Sequence, residues 1–195
     1  MSAASLEVRS LAASRGPVNL FSGISFRLSG GEALCVRGAN GSGKTTLLRC
    51  AAGLTRPDAG EVQRDADFIY AGHLAGIKDD LTAEENLRFA LRLRAVDAPV
   101  PAIAEALRAV GLESRRALPA RRLSAGQRRR IGLARLALDP APLWILDEPL
   151  TALDGDGEQL FAQGLARHLG RGGLALIATH HDLGSGTTKP QELRL

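Results

Sequence analysis

The chain has 195 residues, 45% of them hydrophobic, and a formal net charge of +4. That length suits one domain or a core with an inserted lobe, with enough apolar residues for a sizeable core. Of 25 basic residues only Lys44, Lys78 and Lys189 are lysines, so 22 are arginines spread along the chain. This spread points to solvated faces more than to polyphosphate or an acidic membrane surface. No run approaches the roughly 18 apolar residues of a membrane span, and Met1–Arg9 lacks an apolar signal core, so any membrane role is expected to run through another chain. Cys35 and Cys50 lie among apolar residues, where small buried hydrophobes fit better than a disulfide or metal pair, and a reducing cytoplasm is compatible.

In chain order, Leu6-Glu-Val-Arg-Ser-Leu11 alternates like a half-exposed strand, Arg15-Gly-Pro17 is a turn, and Ile24-Ser-Phe-Arg-Leu28 alternates again before Gly30-Gly31. An antiparallel β layer is expected here. The apolar run Ala33-Leu-Cys-Val36 reads as a strand, and Thr46-Leu-Leu-Arg-Cys-Ala-Ala52 as a helix. Between them Gly38, Ala39, Asn40, Gly41, Ser42, Gly43, Lys44 and Thr45 follow the spacing G-x-x-x-x-G-K-[ST], with Thr46 after it. In that pattern glycines let backbone N–H groups curl around a β-phosphate. Lys44 would reach the β- and γ-phosphates and Thr45 would hold Mg²⁺, with the helix N-terminus adding partial positive charge. A merely flexible Gly/Ser loop is the bland reading, and the strand-loop-helix context argues against it.

Gly53-Leu-Thr-Arg-Pro-Asp-Ala-Gly60 carries turn chemistry and Asp67-Phe-Ile-Tyr70 offers a short strand. From Ile77 to about Leu138 the character is helical. Leu87, Ala90, Leu91 and Arg94 share one helix side, Ile103, Leu107 and Val110 repeat at helical spacing, and Pro99 and Pro101 separate the two helices. Leu123, Ser124, Ala125, Gly126 and Gln127 form a Ser/Gly turn opening a helix, with Ser124 as N-cap and Gln127 at capping-box spacing. Leu143-Trp-Ile-Leu-Asp-Glu-Pro149 is an apolar strand ending in two acids, at the strand end where α/β sheets bind ligands. There Asp147 would hold Mg²⁺ through water and Glu148 would act as general base on an attacking water. Leu174-Ala-Leu-Ile-Ala-Thr179 is a last apolar run ending at His180-His181. A histidine there could bond a γ-phosphate, although a surface histidine is the commoner case. Glu192–Leu195 leaves room for a short final strand.

These motifs in this order resemble the ABC ATPases. The P-loop at 38–45, the signature at 123–127 (usually Leu-Ser-Gly-Gly-Gln), the acidic strand at 143–148, Thr151-Ala-Leu-Asp154 and His180 span nearly the whole chain. The resemblance implies an α/β fold: a P-loop NTPase core of ABC type (about 1–73 and 139–195), an N-terminal antiparallel β layer, and an inserted helical subdomain (about 74–138). It implies ATP and Mg²⁺ as cofactors, Glu148 and His180 as catalytic residues, and Leu153 and Asp154 in a dimer-contact loop. It also implies a homodimer in which Leu123–Gln127 of one subunit caps ATP held by the other. Two positions depart from the pattern. Arg15 stands where an aromatic usually stacks on adenine, and His73 stands where a coupling-loop glutamine is usual.

Arg15-Gly16, Leu20-Phe21, Gly72-His73, Glu85-Asn-Leu-Arg-Phe89, Leu123-Ser-Ala-Gly-Gln-Arg-Arg-Arg130 and Leu143–Pro149 together resemble the ATP-binding subunits of bacterial cytochrome c biogenesis systems. That likeness implies an ATPase on the cytoplasmic face of the inner membrane, docked to integral-membrane subunits of the maturation complex through the surface from His73 to Phe89. It would power haem export or delivery, or release of a haem-loaded chaperone. Nothing in the chain looks like a direct haem site, and no Cys-x-x-Cys-His occurs. The ATPase of another importer or exporter is the alternative. A nucleic-acid-linked ABC protein would need a coiled-coil insertion or second module for which 195 residues have no room.

Overall fold

A computed structural model describes residues 4–72, 76–181, 183 and 190–195. The chain divides into two compact units, one of Met1–Gly72, Ala141–Pro149 and Leu165–Leu195, the other of His73–Pro140 and Leu150–Gly164. The sequence reading had not assigned 150–164 to the helical part.

In the first unit, β1 (Ser5–Arg15) and β2 (Val18–Ser29) form a long hairpin, and β4 (Ala59–Arg64) pairs on the other edge of β1, all antiparallel. Leu6 and Val8 alternate inward and, past an irregularity in register between Val8 and Leu11, Leu11 and Ala13 are buried in turn. A second sheet is wholly parallel and runs in the order β5 (Phe68–Ala71), β6 (Leu143–Asp147), β7 (Leu174–Ala178), β3 (Ala33–Arg37), β8 (Gln191–Arg194). Every residue of β6 and β7 is buried. Strands covered on both faces read as continuous apolar runs. The single helix after the P-loop, α1 (Lys44–Ala51), sends Leu47, Leu48 and Ala51 into the core shared by both sheets. Cys35 and Cys50 are buried and form no disulfide.

The second unit is helical. Leu87 and Leu91 of α2 (Ala83–Arg92), Ile103 and Leu107 of α3 (Val100–Ala109), and Ile131 and Ala134 of α4 (Ala125–Leu138) meet in one core. Thr82 opens α2 with a capping box to Glu85. Pro99 caps α3, but Pro101 lies inside its first turn instead of between helices, where its missing N–H costs nothing. Ile77 packs against this core, so it serves the lobe's own interior. α5 (Gly155–Gly170) begins in this unit's second segment and its last turns, from Leu165, belong to the first unit. Among the described residues, no helix is long and apolar enough to cross a membrane.

Candidate functional site

β3 delivers the chain to the Gly38–Gly43 loop, and α1 starts at Lys44. Gly43 caps α1 at φ +101°, and a Cβ there would sit 3.0 Å from Leu20 Cβ and from Phe21 Cδ1, so only glycine fits. This N-terminus has no side-chain cap and no acid in its first turn. Its amide donors and positive dipole end therefore suit an anion. The Lys44 ammonium, 8% exposed, donates to Gly38 O at 2.8 Å and Ala39 O at 3.0 Å. It bridges two carbonyls of the loop. Ser42 Oγ is buried with no hydrogen-bond partner, an unmet group that a phosphate oxygen would satisfy. Ala39, Asn40 and Gly41 are exposed along the rim, and Thr46 is half-buried on α1.

Thr45 Oγ1 donates to Asp147 Oδ2 at 2.7 Å. Asp147 ends β6 and is 2% exposed, so its carboxylate is held beside the P-loop threonine with little water around it. Thr45 and Asp147 therefore fit a Mg²⁺ ion, which uses one or two carboxylates and completes its shell with substrate phosphates and water. Among the described residues no cluster of three or more His, Cys, Asp or Glu is present that could cage a metal unaided. Tyr70, on the neighbouring β5, has its phenol pushed up by burial and then by the Asp147 charge.

Glu148 takes φ +51°, a left-handed conformation that costs a non-glycine residue about 1–3 kcal/mol and is typical of functional sites. Its N–H donates to Ala178 O at 2.8 Å, which fixes the turn against the end of β7. Its carboxylate, only 15% exposed, lies 3.0 Å from His180 Nδ1, on a ring that is 65% exposed. With the proton on Nδ1, His180 donates to Glu148 and leaves Nε2 for another partner. Arg37, which sequence reasoning passed over, donates to His181 O at 2.7 Å and to Glu192 Oε1 at 3.2 Å. It ties the segment carrying His180 to β3 and β8. No local motif marks such a contact, because its partners lie more than 140 positions away.

Arg15 is exposed at the end of β1, paired with Val18 across the hairpin turn; Val18 is itself 58% exposed. His73 lies outside the described residues.

The signature turn belongs to the second unit. Leu123 is buried and anchors it. Ser124 caps α4 in a full capping box: Gln127 N–H donates to Ser124 Oγ at 3.2 Å, and Ser124 N–H to Gln127 Oε1 at 3.0 Å. The exposed Ser124 hydroxyl thus accepts inward and can donate outward. A Cβ on Gly126 would come within 2.8 Å of Ala152 O, so a bare glycine lets the 150–154 turn close on the helix start; Ala125 beside it is exposed. In that turn Leu153 N–H donates to Leu150 O, and Asp154 Oδ1 accepts from Gly157 N–H at 3.0 Å and Arg130 Nη2 at 2.6 Å. The Arg130 hydrogen bond, then the Gly157 amide, hold the Asp154 carboxyl below its usual range.

Comparison with known proteins gives concordant results. The profile of the family described as "ABC transporter" matches residues 21–151. The "Cytochrome c biogenesis ATP-binding export protein CcmA" of Ruegeria sp. (strain TM1040) is 51% identical over 92% of this chain and 86% of its own length. The protein of the same name from Vibrio cholerae serotype O1 is 44% identical over 97% and 98% of the two chains. That of Paracoccus denitrificans is 50% identical over 92% and 84%. Among solved structures, a chain described as an ABC transporter ATP-binding protein from Pyrococcus furiosus superposes with TM-score 0.85 at 23% identity, covering 98% of this chain and 97% of its own. A dimeric ATP-binding cassette in a post-hydrolysis state with ADP and Pi gives 0.79 at 22% identity, over 90% and 88%. The near-complete overlap with the first of these structures shows the fold. The chain belongs to the ABC transporter family as an ATP-binding, ATP-hydrolysing member, in the group of the cytochrome c biogenesis ATP-binding export proteins.

Proposed function

We propose that this chain is the ATPase subunit of a membrane-bound ABC complex for cytochrome c biogenesis, acting as a homodimer on the cytoplasmic face of the inner membrane. Its hydrolysis powers haem export or delivery, or release of a haem-loaded chaperone. The observation that carries the reading is the Glu148–His180 pair at 3.0 Å, one residue beyond the Asp147–Thr45 bond of a P-loop. The name shared by relatives at 44–51% identity supplies the biological setting.

The residues divide the work. Lys44, Ser42 and the α1 amides bind the β- and γ-phosphates of ATP, and Arg15 offers its guanidinium to the adenine face. Mg²⁺, held by Thr45 and Asp147, would neutralise charge on the phosphate oxygens. Glu148 accepts the proton of the attacking water, and a half-buried carboxylate beside a strand end is suited to that task. His180, held by Glu148 and by the Arg37 tie, bonds the γ-phosphate from the other side. Phosphoryl transfer needs positioning and charge stabilisation above all. Ser124 and the N-terminus of α4, which has no acid in its first turn, supply both in trans, closing the partner's ATP with a hydroxyl and helix amides. Leu153 and Asp154 line the subunit contact, and the His73–Phe89 surface docks the membrane subunits.

Purification of the tagged native protein from membranes tests the biological assignment. Integral-membrane proteins of haem handling and cytochrome c assembly should come with it. Recovery of a solute-binding protein and its permease instead would assign it to another transporter.

A further inference from the structure

In the second unit, the loop before α2 is built around one side chain. Asn86, 3% exposed, accepts Lys78 N–H on Oδ1 at 2.7 Å, and the two N–H bonds of its Nδ2 are shared among the carbonyls of Lys78, Leu81 and Thr82, each at 3.0 Å. A buried amide with this many partners gives the loop one shape. The loop is also fastened to residues on either side of the signature turn. Arg121 N–H donates to Asp79 O at 3.0 Å and Ala120 N–H to Leu81 O at 2.8 Å. Arg121 pairs with Asp80 through its side chain. Arg128, on the first turns of α4, puts Nη1 on Asp79 Oδ1 at 2.7 Å and Nε on Leu123 O at 3.3 Å. One guanidinium therefore spans the loop carboxylate and the peptide immediately before Ser124.

We propose that Asp79 is a positioning residue for Ser124, acting through Arg128. Asp79 fixes the guanidinium and the guanidinium fixes the Leu123 carbonyl, so the 78–82 loop and the Ser124 hydroxyl keep one relative placement. A membrane subunit that moves the loop thereby moves the signature serine. The inference rests on the reading that Ser124 completes the partner's ATP site. An exposed ion pair of this kind contributes little to folding. Its consequence is orientation: misplacing a positioning group by about 1 Å can cost about a hundredfold in rate, and a partial loosening costs less. Among the described residues the hydrogen bonds on Asp79 come from Arg121 and Arg128 of its own unit, so nucleotide affinity is left out of the effect.

The test uses the complex with its membrane subunits, measuring steady-state ATPase and thermal melting. Asp79→Ala and Asp79→Asn should lower kcat by about three- to tenfold while KM for ATP stays within about twofold, the pattern of a group that acts only in the reacting state. The melting temperature should match wild type, and Asp79→Glu, which keeps the carboxylate, should keep kcat. Wild-type kcat in Asp79→Ala overturns the proposal. So does a loss accompanied by a matching rise in KM or fall in melting temperature, or one that Asp79→Glu shares. ATP-dependent dimerisation of Glu148→Gln, measured in parallel, separates the two failures. If that dimer forms and Asp79→Ala is fully active, only the positioning role falls. If it does not form, the trans role of Ser124 falls first.

Discussion

His168 shows how a single side chain outside the site sets a pH limit on the fold. Its ring stacks on Trp144, with centroids 3.9 Å apart and planes at 13°, and its Nε2 lies 3.3 Å from Leu174 O. Burial pushes its pKa down, the nearby carbonyls opposing this only in part. The unfolded histidine takes a proton near pH 6.5 while the folded one resists it. Its stabilising contribution is therefore complete above about pH 6.5 and lost as pH falls through and below that value. Melting temperatures at pH 7.5 and 5.5 should drop more in wild type than in His168→Gln. Equal drops would show that the stack tolerates the charged ring. Carboxyls held low by hydrogen bonds, such as those of Glu85 and Asp154, act alike in both proteins and cancel from the comparison. At this scale the P-loop, Asp147, Glu148 and the Ser124 cap were legible because their chemistry is local: each is a spacing within eight residues or an acid at a strand end. Arg37, Asn86 and the Arg130–Asp154 pair were not, since an arginine among 22 or an asparagine inside a helix carries no mark of the distant group it will meet.

Among elements, periodicity worked where one face is buried and failed where glycine breaks it. The parallel strands β3, β6 and β7 stood out as apolar runs, and α2 and α4 as capped, periodic segments. α5 was passed over: Gly155, Gly157, Gly164 and Gly170 lower its propensity by about 1 kcal/mol each relative to alanine. Its Asp154 cap and the burial of Phe161, Leu165 and Leu169 offset that only in the folded chain. β4 was hidden because its Ala59-Gly60 start reads as a turn and none of its residues is fully buried. The contact between α4 and the 150–154 turn gives an element-scale test. Gly126→Ala would place a methyl 2.8 Å from Ala152 O, and overpacking of this kind costs about 1–3 kcal/mol. The variant should melt earlier and hydrolyse ATP more slowly while binding ATP normally, by melting, steady-state kinetics and binding of a fluorescent ATP analogue. A wild-type melting temperature and rate would mean that the turn gives way freely, with no role in shaping the signature.

For the molecule as a whole, the sequence order of motifs was sufficient for the family because the motifs span nearly the whole chain in one fixed order. The P-loop and its acids lie in one unit and the signature turn in the other, each ordered by its own hydrogen bonds. The central claim is that two copies of this chain close on ATP and that Glu148 is the base that reopens them. Glu148→Gln keeps the size and hydrogen-bonding capacity of the side chain but cannot accept the water's proton, which should slow hydrolysis by about 10² or more. Sedimentation of Glu148→Gln with ATP and Mg²⁺ is the most direct measurement. The account predicts a dimer with ATP that dissociates to monomer with ADP, and turnover at least about a hundredfold below wild type. A protein that stays monomeric in saturating ATP, or hydrolyses it at the wild-type rate, would contradict it.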